Sequence, residues 1–318
     1  MKKTTKLASI GIITALLLAG CSTTAPGSGN KEAEQGEANT KTEGIKIGLA
    51  VSTQSNPFFV TLKEGAQTAA TAGEAELITV DAQDDAAKQA SSIEDLIQQK
   101  VDVIIINPTD SAAIIPAVES ANAAGIPVIT VDRTADGGKV MTHIASDNKA
   151  GGALAAQFIA EQLGGTGNVV ELEGIPGSSA ARERGAGFNE EIAKSSGIKI
   201  AAKQPADFDR AKGLTVMENI LQGNKDIKAV FAHNDEMALG ALKAIEAAGA
   251  TGILVVGFDA TDDAVKEVFA GKLSATVAQK PDMMGMLAVQ TAIKIAKGEE
   301  VEASIPVELD LITKDSAK

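Results

Sequence analysis

From Gly44 onward the chain alternates short apolar runs with helical patterns about every 25 residues, and few folds accept that alternation. Strands are predicted at 45–51, 75–80, 103–107, 128–131, 141–145, 169–173, 198–203, 229–232, 254–258 and 275–278. Helices are predicted at 57–72, 86–99, 111–124, 150–163, 180–194, 210–221, 236–248 and 283–297. Runs bounded by turn residues and separated by amphipathic segments specify an α/β protein with doubly wound parallel sheet. Gly73, Gly125, Gly197, Gly223, Gly249, Gly271 and Gly298 follow the helical patterns, as C-terminal glycines do. Asp84, Asp110, Asp209 and Asp235 stand where a carboxylate would cap the free N–H groups of a helix start.

In such sheets ligands bind outside the carboxyl ends of the strands. The run Val128-Ile129-Thr130-Val131 is wholly β-branched, begins after Pro127, and stops on Asp132-Arg133. Taken alone, that pair reads as a surface ion pair. The other strand ends argue against this, because they carry Asn56 with Phe58 and Phe59, then Phe208, Asn234, Asp259 and Gln279. Carboxylates, carboxamides and a guanidinium hydrogen-bond hydroxyl groups, and phenyl faces cover the C–H faces of a sugar ring. Two adjacent Phe cannot both point into one core, so at least one is expected at the cleft.

The first strand–helix turn, Ser52-Thr53-Gln54-Ser55-Asn56-Pro57-Phe58-Phe59, contains no glycine. That excludes a dinucleotide fingerprint and a phosphate-cradling loop. The two histidines, His143 and His233, have no metal-ligand spacing with each other or with the single cysteine, Cys21. No nucleophile–base pair accompanies the strand-end groups. The pattern is that of a binding site without chemistry: not an enzyme, with no catalytic residue, no metal and no cofactor. The formal charge of −13 argues against nucleic acid as a partner.

The chain opens Met1-Lys2-Lys3, continues through 13 mainly apolar residues from Leu7 to Ala19, and reaches Leu18-Ala19-Gly20-Cys21. A basic start and a short apolar run make a secretory signal peptide, expected over 1–20 and too short to span a bilayer comfortably. Its end resembles a bacterial lipobox, which implies lipidation of Cys21 as the mature N-terminus. Residues 22–43 are Ser, Thr, Gly, Asn, Lys and Glu with almost nothing to bury, the composition of a flexible tether. Loss of the leader's three lysines takes the processed chain to −16. About 275 residues remain beyond the tether, enough for two domains.

The body resembles the periplasmic sugar-binding proteins over nearly all of its length. The motifs that carry the likeness include Ser55-Asn56-Pro57-Phe58-Phe59, Ile105-Ile106-Asn107-Pro108-Thr109-Asp110, Val131-Asp132-Arg133, His143-Ile144-Ala145-Ser146-Asp147-Asn148, Ala181-Arg182-Glu183-Arg184-Gly185, Gln204-Pro205-Ala206-Asp207-Phe208-Asp209, Asn234-Asp235-Glu236-Met237 and Val256-Gly257-Phe258-Asp259. The resemblance implies two doubly wound parallel-sheet lobes joined by a three-crossing hinge, the type I architecture. It implies an N-terminal lobe of 44–146 plus 280–308 and a C-terminal lobe of 147–279 plus 309–318, with Asp147, Gln279 and Leu309 near the crossings. It implies that Asn56, Asp132, Arg133, Arg184, Asn234, Asp259 and Gln279 hydrogen-bond a monosaccharide, D-ribose first, while Phe58, Phe59 and Phe208 wall its ring. Arg182 is left to the surface or hinge, His233 to a neighbour of the site, and Asn107 and Asp110 to strand-end turns. The implied partners are an ABC importer permease and, through lipidated Cys21 at 21–43, the outer face of the cell membrane, with the chain acting as a monomer. Another monosaccharide or a furanose-like signal molecule is the alternative within this class. A sugar-sensing transcription regulator would need a DNA-binding motif before the first strand, where a leader and tether stand instead.

Overall fold

The computed structural model describes residues 44–317; the expected signal peptide, Cys21 and the tether lie outside the described residues. Twelve strands are described: β1 (Lys46–Val51), β2 (Glu76–Asp81), β3 (Val103–Ile106), β4 (Val128–Val131), β5 (Thr142–Ser146), β6 (Thr166–Glu173), β7 (Gly197–Pro205), β8 (Ile227–Ala232), β9 (Leu254–Asp259), β10 (Ala275–Ala278), β11 (Ser304–Val307) and β12 (Asp310–Thr313). Between them run α1 (Pro57–Ala72), α2 (Ala86–Gln98), α3 (Ile115–Ala123), α4 (Asn148–Gln162), α5 (Ser179–Ile192), α6 (Arg210–Gly223), α7 (Asp235–Ala247), α8 (Asp262–Phe269) and α9 (Pro281–Ala296).

The strands form two six-stranded sheets, ordered β11-β5-β4-β3-β1-β2 and β12-β10-β9-β8-β6-β7. The first is parallel throughout; the second is parallel except where β12 runs against β10. The order is the same in both: five strands in doubly wound sequence, closed by one strand from the C-terminal segment. The chain passes between the sheets three times, after β5, between β10 and α9, and between β11 and β12. Each sheet is therefore one lobe of a two-lobe α/β molecule.

Side-chain alternation explains why both faces of each sheet are covered. In the first lobe Ile47, Leu49, Val51, Val103 and Ile105 pack against α1 and α9. Their neighbours Ala50, Ile104 and Ile106 face α2 and α3. In the second lobe Val169, Phe231, Val256 and Phe258 meet α4 and α5, while Val170, Leu172, Val230 and Val255 meet α6, α7 and α8. Helices α1 and α9 touch backbone to backbone: a Cβ on Gly65 would lie 2.1 Å from the carbonyl oxygen of Asp282.

Some local expectations change. The cap of α2 is Asp85, not Asp84, and Asp84 instead turns toward the cleft with φ at +60°. The cap of α7 is Asn234; Asp235 is the next residue and is fully buried. Asp209 caps α6, accepting from Lys212 N, whereas Asp110 accepts from Ala112 N and Ala113 N in the turn before α3, whose own N-cap is Ile114 without a side-chain bond. Gly197 opens β7 and Gly223 ends α6, whereas Gly125, Gly249, Gly271 and Gly298 have the positive φ of helix C-terminal glycines. Helix α8 and strands β11 and β12 lie outside the elements predicted from the hydrophobic pattern. Only Ala264 and Val268 of α8 are buried, and β11 and β12 are four-residue strands with a single buried residue, Val307, between them, one of them holding Pro306.

Candidate functional site

All ten site residues expected from sequence, nine at strand ends and Arg184 on α5, line one small pocket between the lobes. Asn56, Phe58, Phe59, Asp132 and Arg133 come from the first lobe. Arg184, Phe208, Asn234 and Asp259 come from the second, and Gln279 lies at a crossing. Ala180 completes the lining and was not foreseen; an alanine offers no chemical signal in a sequence. Each of the ten is less than a tenth exposed.

The first-lobe groups begin with Asn56, whose Oδ1 accepts from Phe58 N at 2.9 Å as the cap of α1. Pro57 presets the first turn. Phe58 and Phe59 then pack edge to face, 5.1 Å between centroids. Both belong to the apolar cluster beneath the sheet and both border the cavity. The expectation that two adjacent Phe could not share a core is thus corrected. They sit in the first turn of the helix, where core and cleft meet.

Strand β4 ends in a γ-turn: Arg133 N donates to Val131 O at 2.7 Å around Asp132, whose φ is +63°. Asn107 Nδ2 donates to Asp132 Oδ2 at 3.1 Å, and Asn107 Oδ1 accepts from Ser52 N. The Arg133 guanidinium lies between two rings, 5.1 Å from the centroid of Phe59 and 5.0 Å from that of Phe208. Burial lowers its pKa, against the carboxylates of Asp132 and Asp84. Three buried atoms of this cavity have no hydrogen-bond partner: Asp132 Oδ1, Arg133 Nε and Gln279 Oε1. Such atoms cost free energy unless something binds them.

The second-lobe groups rest on polar ones. Arg184 Nε donates to Asn148 Oδ1 at 2.8 Å and its Nη1 donates to the carbonyl of His233 at 2.6 Å. The His233 ring is wholly buried, with Nε2 3.0 Å from Glu171 Oε1 and Nδ1 accepting from Gly174 N. Burial drives His233 toward its neutral form. Burial also opposes the Glu171 carboxylate, but hydrogen bonds from His233 and Asn189 and the charge of Lys203 outweigh it and lower its pKa. His233 is thus a neighbour of the cavity and not part of its lining, as is Asn107.

Asn234 Oδ1 caps α7 and its Nδ2 donates to Phe208 O at 3.2 Å. Gln279 Nε2 donates to Asp259 Oδ1 at 2.9 Å, and Arg184 Nη1 stands 3.6 Å from that same oxygen. Burial raises the pKa of Asp259 well above the usual carboxylate range, against the pull of Arg184. Behind it, burial pushes Asp235 up to about 7 although Thr276 and Thr261 donate to it. Asp132, Asp207, Phe208, Asp259 and Ala260 all have positive φ, so backbone strain gathers around this cavity.

The lobes also meet along a hydrogen-bonded seam. Ser111 N donates to Gly177 O at 3.0 Å, Ser179 N to Ser111 Oγ at 3.1 Å, and Thr134 N to Ser179 Oγ at 2.9 Å. Arg182, exposed as expected, reaches Asp136 Oδ1 at 2.8 Å. The molecule is closed. Among the described residues no group of His, Cys, Asp and Glu could hold a metal, and no helix is long and apolar enough to cross a membrane.

The periplasmic binding protein domain family matches residues 47–300. The chain belongs to this family. It is 54% identical over 297 residues to the ribose import binding protein RbsB of Bacillus subtilis, covering 93% of this chain and 95% of that one. It is 52% identical to the RbsB of Escherichia coli over 84% of this chain and 90% of the relative. Among solved structures, an ABC transporter periplasmic solute binding protein from Actinobacillus succinogenes with bound D-allose superimposes with a TM-score of 0.81. It is 35% identical, and the match covers 86% of this chain and 99% of that one. These periplasmic binding protein relatives are solute-binding proteins, and family membership puts the chain's work outside the cytoplasm.

Proposed function

We propose that this chain captures D-ribose between its two lobes and delivers it to an ABC importer, without catalysing a reaction. The observation that carries the reading is the cavity itself. Three buried polar atoms without hydrogen-bond partners, Asp132 Oδ1, Arg133 Nε and Gln279 Oε1, belong to residues that line a small space also bordered by three phenyl rings. Hydroxyl groups on a compact ring satisfy such atoms, and the rings cover its C–H faces. Identity to ribose import binding proteins from several bacteria supports the choice of sugar.

The ten lining residues other than Ala180 are the proposed sugar contacts. The proposed lobes are 44–146 with 280–308 and 147–279 with 309–318, so a sugar touching both stabilises closure through its differential affinity for the closed form. A permease then reads closure. The protein acts as a monomer, held to the outer face of the membrane by lipid on Cys21. Cys21→Ser releases it from the membrane fraction with sugar binding unchanged; retention there sinks the anchor. A pentose has about ten non-hydrogen atoms, and the ligand-efficiency ceiling leaves room for micromolar or tighter binding, roughly −8 kcal/mol.

The deciding experiment expresses residues 22–318, strips bound ligand, and titrates D-ribose by calorimetry beside other pentoses and hexoses. Tight one-to-one binding of ribose with weak binding of the rest supports the reading. Tight binding of a different sugar moves the ligand, and no sugar binding removes the function.

A further inference from the structure

Phe208 is the only phenyl ring that the second lobe brings to the cavity. Its backbone sits at φ +60°, its carbonyl is held by Asn234, and the far edge of its ring points at Gly174. A Cβ on Gly174 would lie 2.1 Å from Cζ, 2.3 Å from Cε1 and 2.4 Å from Cε2 of that ring. Gly174 is not among the glycines with positive φ, so its backbone conformation is open to any residue. Glycine is required there for space alone. Ordinary contact begins near 3.4 Å, so a methyl group must drive the ring off its seat by roughly an ångström.

The ring cannot move by itself. The Arg133 guanidinium lies 5.0 Å from its centroid and that of Arg184 lies 5.9 Å away. The same glycine holds the other support of Arg184. Its N–H donates to His233 Nδ1 at 3.3 Å, which leaves the ring proton on Nε2, facing Glu171. The His233 carbonyl in turn accepts from Arg184 Nη1.

We propose that Gly174 is a positioning residue that sets the depth of the sugar cavity by seating the Phe208 ring. The proposal rests on the sugar-binding reading above and names what limits the size of the ligand. A Cβ at 174 shortens the cavity, so a six-carbon sugar loses more than a five-carbon one.

The test is a double-mutant cycle of Gly174→Ala and Phe208→Leu, titrated with D-ribose and D-allose and unfolded in urea without sugar. Gly174→Ala is expected to weaken ribose binding about tenfold or more in the parent, but less than about threefold in the Phe208→Leu background. D-allose loses more than ribose in the parent background. The unfolding midpoints show the same non-additivity, and this decides the seating even if the parent binds neither sugar, a result that would strike only the ligand reading. Equal losses in both backgrounds, or no loss in either, overturn the proposal. If Gly174→Ala fails to fold alone but folds with Phe208→Leu, the steric coupling is established. If neither folds, Gly174 serves something other than the ring and the proposal falls.

Discussion

Phe58 and Phe59 stand on the apolar cluster of the first sheet, whereas Arg184, Asn234 and Asp259 stand among buried polar groups of the second. The two lobes share one strand order and contribute to one cavity, yet they position their side chains by different physics. Apolar packing is indifferent to pH and graded by volume. Polar supports such as buried Glu171 and His233, joined by half-buried Asn189 and exposed Lys203, are indifferent to neither charge nor partner loss.

The largest effect should come from removing the base of each half. Phe59→Ala is expected to cost about 3–5 kcal/mol of stability through the cavity left behind. Glu171→Ala should cost about 1–3 kcal/mol by leaving the buried His233 ring N–H without its acceptor, while Asn189 keeps the carbonyl of Gly185. The two differ in pH response. The Glu171 pKa is depressed in the folded protein, so its contribution is present above the ordinary carboxylate range and fades as pH falls through the folded value. The gap between parent and Glu171→Ala therefore narrows in acid, while the Phe59→Ala gap stays constant. Urea unfolding at several pH values checks this; parallel gaps would erase the distinction between the lobes.

Next come the two buried arginines. Arg133 makes one backbone hydrogen bond, at 3.3 Å to Pro108 O, while its Nε makes none and stands 3.5 Å from Asp132 Oδ2. Arg184 spends Nε and Nη1 on Asn148 and His233. Arg133→Ala is expected to weaken sugar binding by about 1.5–3 kcal/mol, with the fold preserved. Arg184→Ala should weaken binding and lower the unfolding midpoint together. Unchanged affinity in folded Arg133→Ala would remove Arg133 from the proposed contacts.

How much of this was legible follows the same division. The cavity lining could be read from sequence because strand ends at one edge of a doubly wound sheet must converge, wherever their helices lie. Asp132-Arg133, Asn234 and Asp259 needed only their position after an apolar run. The supports were not legible, because their meaning lies in distant partners. Glu171 meets His233 62 positions away, Asn148 meets Arg184 at 36, and Asp235 meets Thr276 at 41. Asp235 has the local signature of a cap, and burial against β9 and β10 overrides it. Gly174 carries no signal at all until the Phe208 ring is placed against it.

Asp235 sharpens the contrast further. Its pKa, raised to about 7, exceeds the unfolded value of 3.8, so the folded protein binds the extra proton between them. Stability from this group is complete below the unfolded pKa and is lost as pH rises through about 7. The sign is opposite to that of Glu171. In Asp235→Asn the decline from pH 5 to pH 8 should be shallower than in the parent. An identical decline would assign it elsewhere.

The smallest effect belongs to the seam, where the two lobes meet and neither mode of support applies. Ser179→Ala removes the acceptor of Thr134 N but keeps the Ser179 backbone bond to Ser111. One neutral hydrogen bond contributes about 1 kcal/mol, or roughly fivefold in affinity. The bond joins residues of opposite lobes and so exists only when they are closed, which confines its effect to ligand binding. Calorimetry should register the weaker affinity while sugar-free unfolding stays at the parent midpoint. Loss in both measurements would mean that the unliganded protein is already closed, and the sugar then acts on a population other than the one that opens and shuts the cleft.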